Sequence, residues 1–172
     1  MVDFTRNEMM TIVAARALKN DDVCFVGIGA PSAACNLARM THAPEIVLIY
    51  ESGTIGTRPN VLPLSIGDGE LCETALTTVS VPEMFSYWLQ GGRITVAPEI
   101  ATNCGEIFIT MAMGKRAFLD KLPFITSMGH GPTGKERASF GLKSKGPTRL
   151  MTDMCVFEPD PETKEMTIVS IH

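Results

Sequence analysis

Two stretches decide the fold: Val23-Cys24-Phe25-Val26-Gly27-Ile28-Gly29-Ala30-Pro31 and Ile46-Val47-Leu48-Ile49-Tyr50-Glu51. Each opens on a short, continuous apolar run, the pattern of a strand buried on both faces. Pro31, close behind Gly29, opens a helix reaching about Met40, since proline's missing N–H costs nothing in a first helical turn. Strand, helix, strand is a βαβ unit, and strands joined through a helix lie parallel. The expected class is α/β: an open, mostly parallel sheet with helices on both faces.

Working outward, Thr5 and Glu8 spell a capping box, and Met9, Ile12, Val13 and Ala17 recur at helical spacing. Beyond Glu51 a Gly/Pro-punctuated loop runs from Ser52 to Gly69. A second capping box, Ser80-Val81-Pro82-Glu83, starts a helix that Gly91-Gly92 stops. Ile94-Thr95-Val96 begins like a buried strand and breaks off at Ala97-Pro98. Strands are expected over 106–113 and 124–128 with a short helix over 115–121 between them. Two last strands, 148–157 and 166–171, flank the turn Pro159-Asp160-Pro161-Glu162. With 172 residues, 45% of them hydrophobic, and no repeat or linker, one domain spanning 1–172 is expected.

Composition narrows the function. Lys plus Arg number 15 against 19 Asp plus Glu, a net charge of −4. That balance, with no basic stripe, argues against a nucleic-acid partner. No apolar run approaches the ~20 residues of a membrane span, and Met1-Val2-Asp3-Phe4 does not begin a signal peptide. The five cysteines (Cys24, Cys35, Cys72, Cys104, Cys155) are scattered, without zinc-like spacing, and read as reduced thiols. The expectation is a soluble cytoplasmic protein with neither a metal site nor a disulfide framework.

Three segments carry candidate chemistry. Gly27-Ile28-Gly29 lies between strand and helix, as in a dinucleotide fingerprint, but Ser32 stands where the third glycine belongs. A tight turn near a ligand fits better than a nicotinamide site. Gly129-His130-Gly131-Pro132-Thr133-Gly134-Lys135-Glu136 nearly spells a P-loop, but Glu136 replaces the magnesium-holding hydroxyl and Pro132 removes a phosphate-binding N–H. A surface loop is the better reading. Third, Glu51 follows a buried strand at its carboxyl end, where α/β sheets place ligands. Gly53 and Gly56 just beyond let backbone approach a substrate. From position alone, Glu51 could be an ordinary loop acid, a base or a nucleophile, with metal ligation the weakest option.

The stretches Phe25–Pro31, Thr41-His42-Ala43-Pro44 and Tyr50-Glu51-Ser52-Gly53-Thr54-Ile55-Gly56 resemble the B subunit of family I CoA-transferases, most of all the glutaconate branch. So do Glu99-Ile100-Ala101-Thr102-Asn103-Cys104-Gly105-Glu106, Lys145–Arg149 and Val156–Thr163. The resemblance makes Glu51 the covalent nucleophile and gives Gly27, Gly29, Ser52 and Gly53 as residues of the substrate and CoA loop. It implies an acyl-CoA thioester as substrate, no permanently bound cofactor, and a homologous A subunit in a heterotetramer or hetero-octamer. Glutaconate or glutarate with acetyl-CoA fits the resemblance, as do oxoadipate and methylglutaconate.

Two departures stand out. Family members continue after Val96 through a long segment ending in a glycine-rich loop, whereas here Val96 joins Ala97 directly. The family's continuation beyond His172 is also missing. The absent loop is one expected to supply oxyanion donors. Two rival readings follow: a decarboxylase or hydrolase of a dicarboxylyl-CoA on the same scaffold, or a non-catalytic paralogue that binds only its partner.

Overall fold

Val23–Phe25 (β1) and Val47–Tyr50 (β2) pair in parallel, joined through helix α2 over Ala30–Thr41. This is the computed structural model of the chain, and it describes residues 3–85, 102 and 104–172. Leu48, Ile49 and Tyr50 are almost wholly buried, so both faces of β2 are covered, as its unbroken apolar run requires. Each such side chain contributes about 1.5–3 kcal/mol by leaving water. The Thr5/Glu8 box starts helix α1 over Arg6–Ala17: Thr5 Oγ1 accepts from the Glu8 N–H, and the Glu8 carboxylate accepts from the Thr5 N–H at 2.7 Å.

The chain divides into two units, Thr11–Gly91 and Met1–Met10 with Gly92–His172, each with its own sheet. In the first unit the sheet order is β1-β2-β3-β4, with β3 at Thr54–Ile55 and β4 at Thr77–Thr78 both antiparallel. Helix α3 (Gly69–Glu73) is capped by Asp68, and α4 (Val81–Glu83) by Ser80, whose Oγ accepts from the Glu83 N–H as the second capping box requires. The continuation of that helix, the Ile94–Val96 strand and the Val96–Ala97 junction lie outside the described residues.

The second unit holds β5 (Ile107–Thr110), α5 (Glu136–Ser139), β6 (Pro147–Met151), β7 (Cys155–Pro159) and β8 (Met166–Ile171). β5 and β6 run parallel, while β6–β7 and β7–β8 are antiparallel. The α/β class holds, but the sheets are mixed rather than mostly parallel: among the described residues two strand pairs are parallel and four antiparallel. An apolar run reports burial, not direction. Direction here is set by tight reversals at Glu51–Gly53 and Thr152–Met154.

At the second reversal the expected 148–157 strand becomes two. Thr152, fully buried, accepts on Oγ1 from the Met154 and Cys155 N–H groups and donates to the Cys155 carbonyl, so its side chain closes a turn. The expected strand over 124–128 is absent, and at its end the Met128 carbonyl, like that of Gly129, accepts from the Arg137 guanidinium. The expected helix over 115–121 is one turn, in which Ala117 and Phe118 donate to Gly114. A single turn cannot offset the cost of nucleation.

Candidate active site

Tyr50 closes β2, and the chain reverses at once: the Gly53 N–H donates to the Tyr50 carbonyl at 3.0 Å. Glycine is required there. Gly53 has φ +94°, and a Cβ would collide with the Val79 carbonyl oxygen. The Val79 N–H donates in turn to the Gly53 carbonyl at 2.9 Å, docking the turn onto the chain beyond β4. Gly53 is therefore demanded by the protein's own backbone. Gly56, at φ +65°, is likewise closed in by the Leu76 side chain. Within this turn Glu51 and Ser52 are half-buried.

The parallel register brings the other predicted residues to the same end of the sheet. Phe25 faces Ile49, and the Val26 N–H donates to the Ile49 carbonyl at 2.8 Å, so Gly27 follows on β1 as Glu51 follows on β2. Gly27 and Gly29 are exposed. Gly29 has φ +89° with open space where a side chain would stand, whereas at Gly27 a Cβ would make an ordinary 3.6 Å contact with Pro31. Gly29 is the N-cap of α2 but supplies no side-chain acceptor, and no acid occupies the first turn. The positive end of the α2 dipole thus lies at the sheet end that carries Glu51.

Beneath the turn runs a polar network that sequence reasoning missed. The wholly buried Tyr50 hydroxyl lies 2.7 Å from Ser32 Oγ and accepts from Asn36 Nδ2 at 3.3 Å. Asn36 Nδ2 also donates to the Ser32 carbonyl, and Asn36 Oδ1 accepts from Arg39 Nε at 3.2 Å. Arg39 Nη2 then donates to the Pro59 carbonyl at 2.6 Å. Burial pushes the Tyr50 phenol up, against the hydrogen bonds from Ser32 and Asn36. The available signal was Ser32 and Asn36, four apart on an otherwise apolar helix face. Ser32, at the position of the third fingerprint glycine, faces inward to Tyr50, which leaves the dinucleotide pattern without its close approach.

Among the described residues the Glu51 carboxylate makes no hydrogen bond or ion pair, and no cluster of His, Cys, Asp and Glu could hold a metal. Two neighbouring hydroxyls, Ser52 Oγ and Thr54 Oγ1, are buried without a partner. A half-buried carboxylate left free beside glycine backbone can attack an electrophile or take a proton.

The P-loop-like segment behaves otherwise. The Glu136 carboxylate folds back on its own loop, accepting from the Thr133 N–H at 3.1 Å, Thr133 Oγ1 at 2.9 Å and the Lys135 N–H at 3.1 Å. A side chain of the protein fills the place a phosphate would need.

The family described as Coenzyme A transferase matches residues 7–99. The chain belongs to the family I CoA-transferases, as a B subunit. It is 48% identical to the B subunit of the 3-oxoadipate CoA-transferase of Pseudomonas knackmussii, over all of this chain and 79% of that protein. It is 27% identical to the B subunit of the glutaconate CoA-transferase of Acidaminococcus fermentans, over 99% of this chain and 78% of that one. The crystal structure of the Acidaminococcus glutaconate coenzyme A-transferase superposes with a TM-score of 0.81 at 26% identity, covering 96% of this chain and 78% of that one. Of the two branches, the 3-oxoadipate protein is thus nearer to this CoA-transferase chain than the glutaconate protein.

Proposed function

We propose that this chain, with an A subunit, moves CoA between a short acyl-CoA and a dicarboxylic acid through a glutamyl-CoA thioester on Glu51. The observation that carries the reading is the Glu51 carboxylate, half-buried at the carboxyl end of β2 and free of partners among the described residues. The 48% identity to a protein of 3-oxoadipate CoA transfer favours a 3-oxo dicarboxylate over glutaconate as the acid.

The chemistry balances without a metal or redox group. Glu51 attacks the thioester carbonyl, and collapse of the tetrahedral adduct gives an acyl-glutamyl anhydride and CoA thiolate. The thiolate attacks the glutamyl carbonyl, releasing the first acid and leaving glutamyl-CoA. The second acid's carboxylate attacks that thioester, and the returning thiolate takes the new acyl group, freeing Glu51. Each oxyanion needs backbone donors, and the α2 N-terminus favours the carboxylates that gather at this end of the sheet.

The match to the Pseudomonas protein extends over 206 positions against 172 residues here, which supports a segment missing from this chain, and we assign it to the junction between Val96 and Ala97. We place the remaining donors in that segment and in the A subunit. Five free thiols fit a cytoplasmic enzyme.

The test treats the two-subunit complex with acyl-CoA, reduces any glutamyl thioester with borohydride, and maps peptides by mass. Modification confined to the Glu51 peptide supports transfer. Thioester consumed with Glu51 unmodified points to the decarboxylase or hydrolase, and neither change points to a partner-binding paralogue.

A further inference from the structure

We infer that Tyr50 is a positioning residue for this reaction, holding the strand end that carries Glu51 against the first turn of α2 through Ser32 and Asn36. The inference rests on Glu51 being the nucleophile.

Tyr50 is covalently next to Glu51, and it is wholly buried. A phenylalanine would fill its ring's place without placing an oxygen in the core, where a polar atom is costly unless it finds a partner. The hydroxyl meets that requirement in one direction only. Across the β2–β3 pair Tyr50 faces Thr54, so the two side chains share a sheet face, yet Thr54 Oγ1 stays unpartnered while the phenol bonds to α2.

The attachment points matter more than their number. Ser32 belongs to the first turn of α2, directly after the Gly27–Gly29 loop, and Asn36 lies one turn on. Arg39, another turn along, carries the chain of bonds to the Pro59 carbonyl, beyond β3. The network therefore ties together three pieces of chain: the residue before Glu51, the helix end facing it, and the segment that follows its turn. A carboxylate that attacks once, is attacked twice at its own carbonyl and finally departs needs its reacting atoms held within a few tenths of an ångström. Buried, fully paired polar networks rigidify in this way, whereas an apolar core of equal volume can slide.

Kinetics on the full two-subunit complex test this with Tyr50→Phe, Ser32→Ala and the double variant. Each single variant is expected to lower kcat roughly 10- to 100-fold with KM for acyl-CoA unchanged. Borohydride-trappable glutamyl-CoA should form more slowly by the same factor. The double variant should be no slower than the slower single, because the two hydroxyls act as one unit. A lower melting temperature with unchanged kcat would overturn the inference by making the network structural only, and so would a rise in KM alone. If the wild-type complex transfers CoA without any adduct on the Glu51 peptide, the nucleophile assignment falls first and takes this inference with it.

Discussion

Glu51 and Glu136 are both half-buried acids in glycine-punctuated turns, yet their surroundings differ in kind. Glu136 accepts three hydrogen bonds from Thr133 and Lys135, and Gly131, at φ +81°, is glycine because the Glu136 side chain occupies the space a Cβ would need. Glu51 accepts none among the described residues, and its glycine, Gly53, is demanded by the Val79 backbone instead. In one turn the protein uses its acid to hold the loop. In the other it holds the loop by backbone and leaves the acid available. A carboxylate already satisfied by its own loop is a poor nucleophile, so availability separates the two.

The largest effect that can break this comparison is on activity. Glu51→Gln should abolish CoA transfer while leaving the melting temperature and assembly with the A subunit unchanged, whereas Glu136→Gln should retain transfer. Ordinary turnover in Glu51→Gln, with reversion to Glu excluded by mass, would end the distinction.

Next comes stability at the glycines. Gly53→Ala forces a side chain into the Val79 carbonyl at positive φ, costing about 1–3 kcal/mol in backbone strain, with roughly 1 kcal/mol more if the Val79–Gly53 bond breaks. Gly27→Ala, meeting only Pro31 at ordinary contact distance, should change stability by less than about 0.5 kcal/mol. Thermal unfolding of the two variants measures the difference. A loss of transfer in a stable Gly27→Ala protein would place Gly27 in the substrate loop, where the resemblance puts it.

The loop around Glu136 has its own anchor, the buried Arg137. Its guanidinium donates to the Met128, Gly129 and Ser144 carbonyls at 3.0–3.3 Å and to Ser144 Oγ, which in turn donates to the Thr102 carbonyl. Arg137→Met should cost about 1–3 kcal/mol for each carbonyl left buried and bare. Arg137→Lys should recover only part, since one ammonium cannot reproduce the planar fork. Equal stability of Arg137→Met and wild type in denaturant unfolding would show that water reaches those carbonyls.

Much of this is legible in the sequence, and the parts that are not share a cause. The 3.6-residue periodicity and the Thr5/Glu8 capping box place α1, Pro31 places α2, and the apolar runs place β1 and β2, because those signals lie within one element. β8 occupies Met166–Ile171, the run its apolar residues predict. Two-residue strands such as β3 and β4 carry no periodicity: β3 forms where the Gly53 turn folds the chain back onto β2, and β4 pairs with β3 from a stretch far along the chain. The Thr148–Phe157 run looks continuous because Thr152 makes its turn with a side-chain hydroxyl instead of Gly or Pro. Glu51 stands out by its place after β2, but that its carboxylate is free, and Glu136's is not, depends on which N–H groups each turn aims inward.

The smallest effect is the most direct probe of that last point. Desolvation pushes the Glu136 carboxyl up, but the hydrogen bonds from Thr133 and Lys135 outweigh it and hold its pKa below the ordinary carboxylate value. A folded-state pKa below the unfolded one means that the unfolded chain takes up the proton first. The stabilisation is therefore complete above the unfolded value and disappears as pH falls through the folded one. Glu136→Gln should accordingly be less stable than wild type near neutral pH, with the gap closing in acid. Because the carboxylate lies at the surface, the gap should shrink further in high salt. Denaturant unfolding of both proteins from pH 7 downward measures this. A gap that does not change with pH would mean the glutamine amide oxygen satisfies the same donors, and that the loop needs an acceptor there rather than a charge.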